Sequence, residues 1–340
     1  MQVSWISFGS PIRRADGSIT SNLASLRYRV LSPIRELDPA RYSHQLTAVS
    51  ETTPENLKDK ALQADIVVFS KSFLPSNEAL AERAKSLGGR VIFDVCDDHY
   101  RHPSFGPHYQ RMSALADQMV CSTAEMAKVA RAYSSGEPVV IADPYEGPSG
   151  TPAFSPEEPL RLLWFGHPSN LDSLEAALGD LIGYASSQPI ALTVLTQLTD
   201  AITDGCRQVS ARHVGRFVMS ARPWSLDAQW RELAACDAVI IPTLNASEKR
   251  VKSANRMVEA LWAGRPVVAQ PLPAYLDFER WAPTHPTLSE GCRWLAANLK
   301  DVPGLISQAK SYIEERHAPA ALAREWARVL EAQYALRTAA

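Results

Sequence analysis

The chain contains 340 residues, of which 46% are apolar and 21% are charged, and its formal net charge at pH 7 is −2. These proportions are typical of a globular protein that folds in water, and the near-neutral charge excludes nucleic-acid binding driven by a strongly basic surface. Because the length exceeds that of one ordinary hydrophobic core, we expect two domains of about 150 to 180 residues each.

The five cysteines and the apolar runs indicate the compartment. The cysteines show no CxxC spacing, so they predict free thiols in a reducing environment, with neither a disulfide framework nor a zinc site. The N-terminus lacks the basic and apolar pattern of a signal peptide. No run reaches the roughly 18 apolar residues that a membrane-spanning helix needs. We therefore expect a cytoplasmic protein.

Short apolar strands alternate with helical patterns in residues 1–145, which predicts a domain built on a parallel sheet. The strands are expected at residues 3–8, 65–70, 90–95, 119–122 and 138–141. One helix is expected to begin near residue 20 or 21, and Pro33 is expected to kink or interrupt it. Two further helices are expected over residues 77–87 and 124–133.

Residues 146–159 contain four prolines and two glycines, a density that predicts an interdomain linker. The alternation resumes in residues 160–310, which predicts a second domain with strands at 160–165, 190–195, 216–219 and 238–242 and a helix over 171–185. Residues 311–340 are expected to be helical, with a break at Ala318-Pro319, and to pack back on the first domain. The fold class is therefore α/β, with two doubly wound parallel-sheet domains and a ligand-binding cleft between them.

The most informative segment begins at Lys252. It predicts a helix that is capped by Ser253 or Asn255, ends with Gly264 at the C′ position and leads directly into a buried strand. Amides at a helix start attract anions, and Lys252 and Arg256 add two cations beside them. The pattern therefore predicts a phosphate site, with an ordinary helix–strand unit as the alternative.

The same segment resembles a known family. Residues Glu259-Ala-Leu-Trp-Ala-Gly264-Arg-Pro-Val-Val268 resemble the Glu-Ala-x-x-x-Gly-x-Pro-Val-Val signature of family 4-like GT-B glycosyltransferases, the glycosyl transferases of group 1. Four other segments, residues 24–30, 116–123, 162–166 and 230–242, resemble parts of that family in the expected order. Together they extend over nearly the whole chain.

The resemblance implies a GT-B architecture, in which two Rossmann-like domains face a central cleft, with the acceptor on residues 1–145 and the donor on residues 160–310. It implies a retaining glycosyltransferase that moves a sugar from a nucleotide-diphosphate-sugar donor to an acceptor hydroxyl. Neither a metal ion nor another cofactor is expected. The acceptor would be a glycan, a lipid-linked glycan or a small molecule, and a lipid-linked acceptor would require peripheral contact with the inner face of the membrane. No nucleic-acid partner is expected.

The resemblance assigns donor binding to two groups of residues. In the first group, Gly166 ends a predicted strand, where a missing side chain lets a diphosphate approach the backbone, and Ser169 and Asn170 offer hydrogen-bond donors. A tight turn is the alternative explanation of this glycine.

The second group lies around the predicted donor helix. Lys252, Ser253, Asn255 and Arg256 would neutralise the leaving nucleoside diphosphate, and Glu259 would accept hydrogen bonds from the ribose hydroxyls. Solvated surface side chains are the alternative for the two cations.

Polar residues after a buried strand of the first half form the candidate acceptor side. Asp97, Asp98 and His99 are placed to orient or deprotonate an acceptor hydroxyl, and Gly9 and Ser10 would line the same cleft. These side chains include metal-ligand types, but the resemblance implies chemistry without a metal. A purely structural loop is the third interpretation.

One departure from the family pattern keeps other functions open. Members carry Glu-x7-Glu across the donor helix; the second glutamate matches Glu259, whereas the first position is Val251. The alternatives are a sugar-nucleotide epimerase or hydrolase on the same fold, a non-catalytic GT-B-like binding subunit, and a GT-A transferase in which Asp97 and Asp98 hold a metal.

Overall fold

The computed structural model describes residues 1–49, 59–71, 74–244 and 246–339. The chain divides into two compact units. Unit 1 comprises Met1–Pro144, Arg250–Ser253 and Arg316–Ala340, and unit 2 comprises Tyr145–Lys249 and Ala254–Glu315. Residues 250–253 therefore belong to unit 1, although the helix that follows them belongs to unit 2.

Unit 1 contains a sheet of six parallel strands. The strands are β1 (Gln2–Ser7), β4 (Ser43–Ala48), β5 (Ile66–Ser70), β6 (Arg90–Val95), β7 (Gln118–Cys121) and β8 (Val139–Val140). A two-stranded hairpin, β2 (Ile12–Arg13) and β3 (Ile19–Thr20), follows β1. The sheet order is β4-β1-β5-β6-β7-β8. The connections reverse direction between β1 and β5, which makes this the switch point at which open α/β sheets bind ligands.

The helices of unit 1 surround this sheet. They are α1 (Ala24–Leu26), α2 (Ser32–Glu36), α3 (Ser76–Ser86), α4 (Gly106–Leu115), α5 (Ala124–Ala130) and the C-terminal α12 (Pro319–Ala339). A π-helical turn, Arg27–Leu31, joins α1 to α2. Pro33 has no amide hydrogen, and its ring would collide with the carbonyl of Arg29 in a regular α-helix, which is a physical reason for the wider turn.

Unit 2 contains five parallel strands, β9 (Leu160–Phe165), β10 (Ile190–Thr196), β11 (Phe217–Pro223), β12 (Ala238–Ile241) and β13 (Val267–Ala269). Their order is β11-β10-β9-β12-β13. This is the 3-2-1-4-5 order of a doubly wound sheet, and its switch point lies between β9 and β12.

The helices of unit 2 are α6 (Leu171–Tyr184), α7 (Asp200–Arg212), α8 (Leu226–Ala235), α9 (Asn255–Trp262), α10 (Leu288–Ala297) and α11 (Val302–His317), whose last two residues belong to unit 1. The hydroxyls of Thr199, Ser225 and Thr287 cap α7, α8 and α10. Gly264 ends α9 with φ +78°, and a Cβ there would lie 2.3 Å from the carbonyl oxygen of Thr151. The prediction of Gly264 at C′ is confirmed.

The structure confirms the predicted strands, corrects the start of one helix and adds elements that were not predicted. Every predicted strand is present, and the break at Ala318 separates α11 from α12 as expected. The helix expected to begin near residue 20 begins instead at Ala24, because Ile19 and Thr20 pair in the hairpin. Strand β4 and helices α4, α7 and α10 were not predicted. All five cysteines are free.

Candidate functional site

Gly166 stands at the carboxyl end of β9, beside the switch point of the unit 2 sheet. Its amide donates to the carbonyl of Leu195 (3.2 Å), and its carbonyl accepts from the hydroxyl of Thr196 (2.8 Å). A Cβ at this position would lie 3.4 Å from the indole of Trp164 and 3.8 Å from Nη1 of Arg256. The backbone is thus fixed by β10, while Trp164 and Arg256 border the position of the missing side chain.

Two buried donors at this position lack an acceptor. Nη1 of Arg256 and Nε1 of Trp164 have no hydrogen-bond partner among the residues that the structure describes. The Arg256 side chain also interacts with the hydroxyl of buried Tyr275. Because leaving a buried donor unsatisfied costs about 1 to 3 kcal/mol, both groups are candidates for binding an acceptor atom of a ligand.

The start of α9 differs from the prediction. Its N-cap is Ala254 and no side chain caps it, so the predicted cap at Ser253 or Asn255 is wrong. The Ser253 hydroxyl donates instead to the carboxylate of Asp143 (2.5 Å), and Oδ1 of Asn255 accepts from the adjacent amide of Arg256 (2.7 Å). A helix start without a cap retains amides that can bind an anion.

A cation that the sequence analysis missed lies beside the loop after β9. Nζ of Lys249 is 3.3 Å from Oδ1 of Asn170 and 3.4 Å from the carboxylate of Asp172. The hydroxyl of Ser169 lies 2.9 Å from Nδ1 of His167. Lys249 follows β12, so the rule that polar residues after a buried strand reach the ligand edge of the sheet was the signal available for finding it.

Glu259 is buried, and its Oε1 accepts a hydrogen bond from the amide of Glu146 (2.8 Å). In the same segment Tyr145 stacks on Trp262 with ring centroids 4.0 Å apart, and Nε1 of Trp262 donates to the carbonyl of Gly147. Glu259 therefore ties the start of unit 2 to α9. Its contact with a ribose stays a prediction.

In unit 1, Asp97 is held between two lysines. Nζ of Lys252 contacts Oδ1 of this carboxylate, and Nζ of Lys71 lies 3.0 Å from Oδ2. Burial alone would raise the pKa of Asp97, but the two ammonium groups outweigh burial and hold that pKa well below its usual range. Asp97 is therefore ionised and is a poor proton acceptor near neutral pH. The predicted contact of Lys252 with the donor stays a prediction.

His99 and Asp98 differ from Asp97 in their surroundings. Burial, acting with the positive charges nearby, lowers the pKa of His99 below its ordinary value of 6.5, so the imidazole is neutral at pH 7 and can accept a proton. Its ring packs edge-on against Tyr109. Oδ1 of Asp98 accepts from the amide of Tyr100 (3.1 Å), which fixes the turn that presents His99.

A buried charged network lies at the same edge of the unit 1 sheet. The guanidinium of Arg29 forms a bond of 2.6 Å with Asp94 and contacts the carbonyl of Ile141 and the carboxylate of Asp143. Arg29 and Asp94 are each 1% exposed. Asp143 also accepts from Ser253, so the network joins two segments of unit 1 that are far apart in the sequence. Ser253 is thus engaged within unit 1.

Gly9 and Ser10 follow β1, the other strand at this switch point. Gly9 has φ +86°, and its carbonyl accepts from the hydroxyl of Ser7 (3.4 Å). A Cβ there would lie 2.2 Å from Cδ1 of Leu23. The carbonyl of Ser10 accepts from the hydroxyl of Ser21 (3.4 Å). Their part in acceptor binding stays a prediction.

Among the residues that the structure describes, no group of three or more His, Cys, Asp and Glu side chains is arranged to hold a metal ion. His108 lies in α4, where its Nδ1 contacts Glu78.

In the ranges that the structure describes, no helix is both long and apolar enough to cross a membrane.

Solved structures similar to the chain establish its fold. HepE from Anabaena, crystallised with UDP, gives a TM-score of 0.71 at 12% identity, covering 98% of this chain and 100% of HepE. Its complex with UDP-glucose gives 0.68 at 14% identity over the same shares. The lipopolysaccharide outer core galactosyltransferase WaaB, in its apo form, gives 0.59 at 12% identity, with 98% and 100% covered. A putative UDP-N-acetylglucosamine 2-epimerase from Listeria monocytogenes gives 0.59 at 13% identity, with 98% and 96% covered.

No protein-family model and no curated protein matches the sequence. At these identities structural similarity shows the fold alone, and that fold is GT-B: two Rossmann-like units with parallel sheets. The α/β prediction with two Rossmann-like domains is confirmed.

Proposed function

We propose that the protein is a glycosyltransferase that uses a UDP-sugar donor. The observation that carries this proposal is the unpartnered, buried Nη1 of Arg256 beside Gly166, at the switch point of the unit 2 sheet. A diphosphate oxygen at Gly166 would satisfy this donor. The similarity of the fold to HepE, which binds UDP and UDP-glucose, favours uridine as the nucleoside.

The donor chemistry follows from the charges of this site. Transfer breaks the bond between the anomeric carbon and the diphosphate oxygen, and negative charge grows on the departing UDP. Arg256, Lys249 and the uncapped start of α9 would stabilise that charge without a metal ion, because preorganised donors act most strongly where charge develops. Gly166 would let the diphosphate approach the backbone. Asn170, which holds Lys249, would orient this cation.

The acceptor chemistry is assigned to unit 1. The neutral imidazole of His99 would accept the proton of the acceptor hydroxyl as its oxygen bonds to the anomeric carbon. Asp97, ionised between its lysines, would act through its charge rather than as a base. We further propose retention of the anomeric configuration, on the resemblance of the α9 segment to family 4-like enzymes, so the acceptor oxygen would bond to the anomeric carbon on the face from which UDP departs.

The experiment that tests the donor site is calorimetric titration with UDP, GDP, CDP and ADP. UDP is expected to bind most tightly, and Arg256→Met is expected to weaken UDP by about 10- to 100-fold, since a hydrogen bond to a charged group contributes about 1.5 to 3 kcal/mol. The matched control is Arg207→Met on α7, whose side chain is 74% exposed and paired with Asp204. Equal UDP affinity in wild type and Arg256→Met would refute the proposed site.

The similarity to a putative epimerase supports one alternative, an epimerase or hydrolase of the nucleotide sugar. Incubation with UDP-glucose or UDP-N-acetylglucosamine in the absence of an acceptor distinguishes the functions. An epimerase interconverts the sugar nucleotides, whereas a transferase requires an acceptor to release UDP rapidly. Proton NMR of the sugar anomeric region detects both products.

A further inference from the structure

Lys71 occupies the switch point of the unit 1 sheet. It directly follows β5, and its amide donates to the carbonyl of Asp94 (3.0 Å), which extends the pairing of β5 with β6. Its φ is +50°, the one positive value found for a non-glycine residue in the described chain. The Cβ of a lysine crowds the backbone in this region, so the conformation is unfavourable. The residue is therefore held in an unfavourable conformation that directs its ammonium group to Asp97.

The arrangement around Asp97 leaves donors on both lysines. Each ammonium group has three N–H bonds, and within the described residues Asp97 is the acceptor that each one contacts. Lys71 and Lys252 are 25% and 42% exposed, whereas Asp97 is 13% exposed. A ligand that approaches this edge therefore meets two cations with unused donors, and the carboxylate lies beneath them.

Two other carboxylates nearby already have partners. Asp94 is paired with buried Arg29, and Asp143 accepts from Arg29 and Ser253. Asp98 is half-buried and accepts from a backbone amide. Among the described residues, Asp97 is the carboxylate in ion-pair contact with Lys71 and Lys252, so it is the anion with which a ligand would compete for them.

We propose that Lys71 and Lys252 form an oxyanion-binding pair that recognises a phosphate or carboxylate group of the acceptor, with Asp97 as its internal counter-ion. This inference rests on the proposed function, because the oxyanion belongs to an acceptor only if the protein is a glycosyltransferase. The acceptor class is then an anionic sugar or a sugar phosphate. The pair would fix the anionic group while His99, two residues beyond Asp97, faces the hydroxyl to be glycosylated. Lysine is suited to this task because its ammonium group has three donors and can bond an oxyanion and an internal partner at the same time.

The test is titration of inorganic phosphate into the full-length protein, alone and with saturating UDP, by calorimetry. Phosphate is expected to bind in both conditions, and Lys71→Met is expected to weaken it at least tenfold without changing UDP affinity. Asp97→Asn removes the competing charge and is expected to strengthen phosphate binding severalfold. The matched control is Lys85→Met, since Lys85 is 40% exposed and also paired with an aspartate.

The outcomes separate this inference from the proposed function. Unchanged phosphate affinity in Lys71→Met, or weaker phosphate binding in a folded Asp97→Asn variant, would overturn it and leave the lysines as structural partners. Loss of UDP and phosphate binding together in Lys71→Met would also overturn it, because the pair would then belong to the donor. Failure of wild type to bind UDP would refute the proposed function, while the phosphate titration without UDP would still test the pair.

A transfer assay then identifies the source of the oxyanion. UDP-glucose is combined with glucose 6-phosphate, glucuronate or glucose, and the released UDP is measured. Higher kcat/KM for glucose 6-phosphate indicates a phosphate acceptor, and higher kcat/KM for glucuronate indicates a carboxylate acceptor. In either case the preference over glucose is expected to disappear in Lys71→Met. Equal rates with all three sugars would contradict the inference.

Discussion

The cations at the two switch points of this molecule differ in whether they already contact an acceptor. In unit 2, a buried nitrogen of Arg256 has no acceptor among the described residues, and the adjacent Gly166 presents no side chain. In unit 1, Lys71 and Lys252 already share the carboxylate of Asp97. A site with an unsatisfied donor gains a full charged hydrogen bond when a phosphate binds, whereas a pre-paired site exchanges or shares one partner. Under the two proposals, we therefore expect strong anchoring of a ligand in unit 2 and selective recognition in unit 1.

The largest effect is expected at His99. His99→Gln should lower the rate of UDP release from UDP-glucose by about 100-fold or more, because proton transfer by a positioned base contributes about 10²- to 10⁴-fold. In wild type, kcat/KM should fall on the acid side through a pKa below 6.5, since burial lowers the pKa of His99. The variant should lose this acid limb. A wild-type profile that stays flat through this pH range would remove His99 from the chemistry.

Two glycines, each after the first strand of its unit, give the second test. Gly166→Ala should leave the melting temperature nearly unchanged, because its Cβ meets neighbours at ordinary contact distances, yet weaken UDP about tenfold by occupying the space of a phosphate oxygen. Gly9→Ala should have the reverse effect and cost about 1 to 2 kcal/mol of stability, because φ is +86° there.

Thermal melts and UDP titrations on the two variants measure both quantities. Gly179→Ala, in the open middle of α6, is the control, with UDP affinity expected to equal that of wild type. If Gly166→Ala bound UDP normally, Gly166 would be a turn residue without a part in donor binding.

The smallest effect concerns stability in acid. The pKa of Asp97 in the folded state lies below its ordinary value of 3.8, so its ionised form contributes stability that is present above that value and lost as the pH falls through the folded-state pKa. The free energy of unfolding of wild type should therefore decline below about pH 4. In Asp97→Asn the loss at pH 3 should be shallower, by up to about 1 kcal/mol. Urea denaturation at pH 3 and pH 6 provides the comparison, and equal declines in both proteins would exclude a strongly paired Asp97.

The sequence predicted most of what depends on local pattern. Continuous apolar runs such as residues 66–69 and 162–165 identify strand segments that are buried on both faces. The edge strand Ser43–Ala48 escaped prediction because its half-exposed sequence carries no such run. The rule that ligand-binding residues follow buried strands indicated Asp97 and Gly166. It applied equally to Lys71 and Lys249, but these lysines were missed because the sequence does not show which side chain a cation will pair with.

The candidate helix cap shows why partners cannot be derived from spacing alone. Ser253 stands in the correct place to cap α9, yet its hydroxyl binds Asp143, a residue 110 positions earlier. Glu259 likewise matches a family signature, but its carboxylate accepts the amide of Glu146. In both cases a distant acceptor or donor competes for the same polar atom.

The sequence by itself determined the α/β class, the two-unit organisation, most of the strands, and the helix that ends at Gly264. Each of these follows from apolar periodicity and backbone chemistry within a few neighbouring residues. The tertiary structure alone decided which charges meet: Asp97 with Lys71 and Lys252, and Arg29 with Asp94, while Nη1 of Arg256 meets no acceptor among the described residues. Electrostatic pairing depends on distances between residues that are far apart in sequence, and those distances exist only once the sheets have formed.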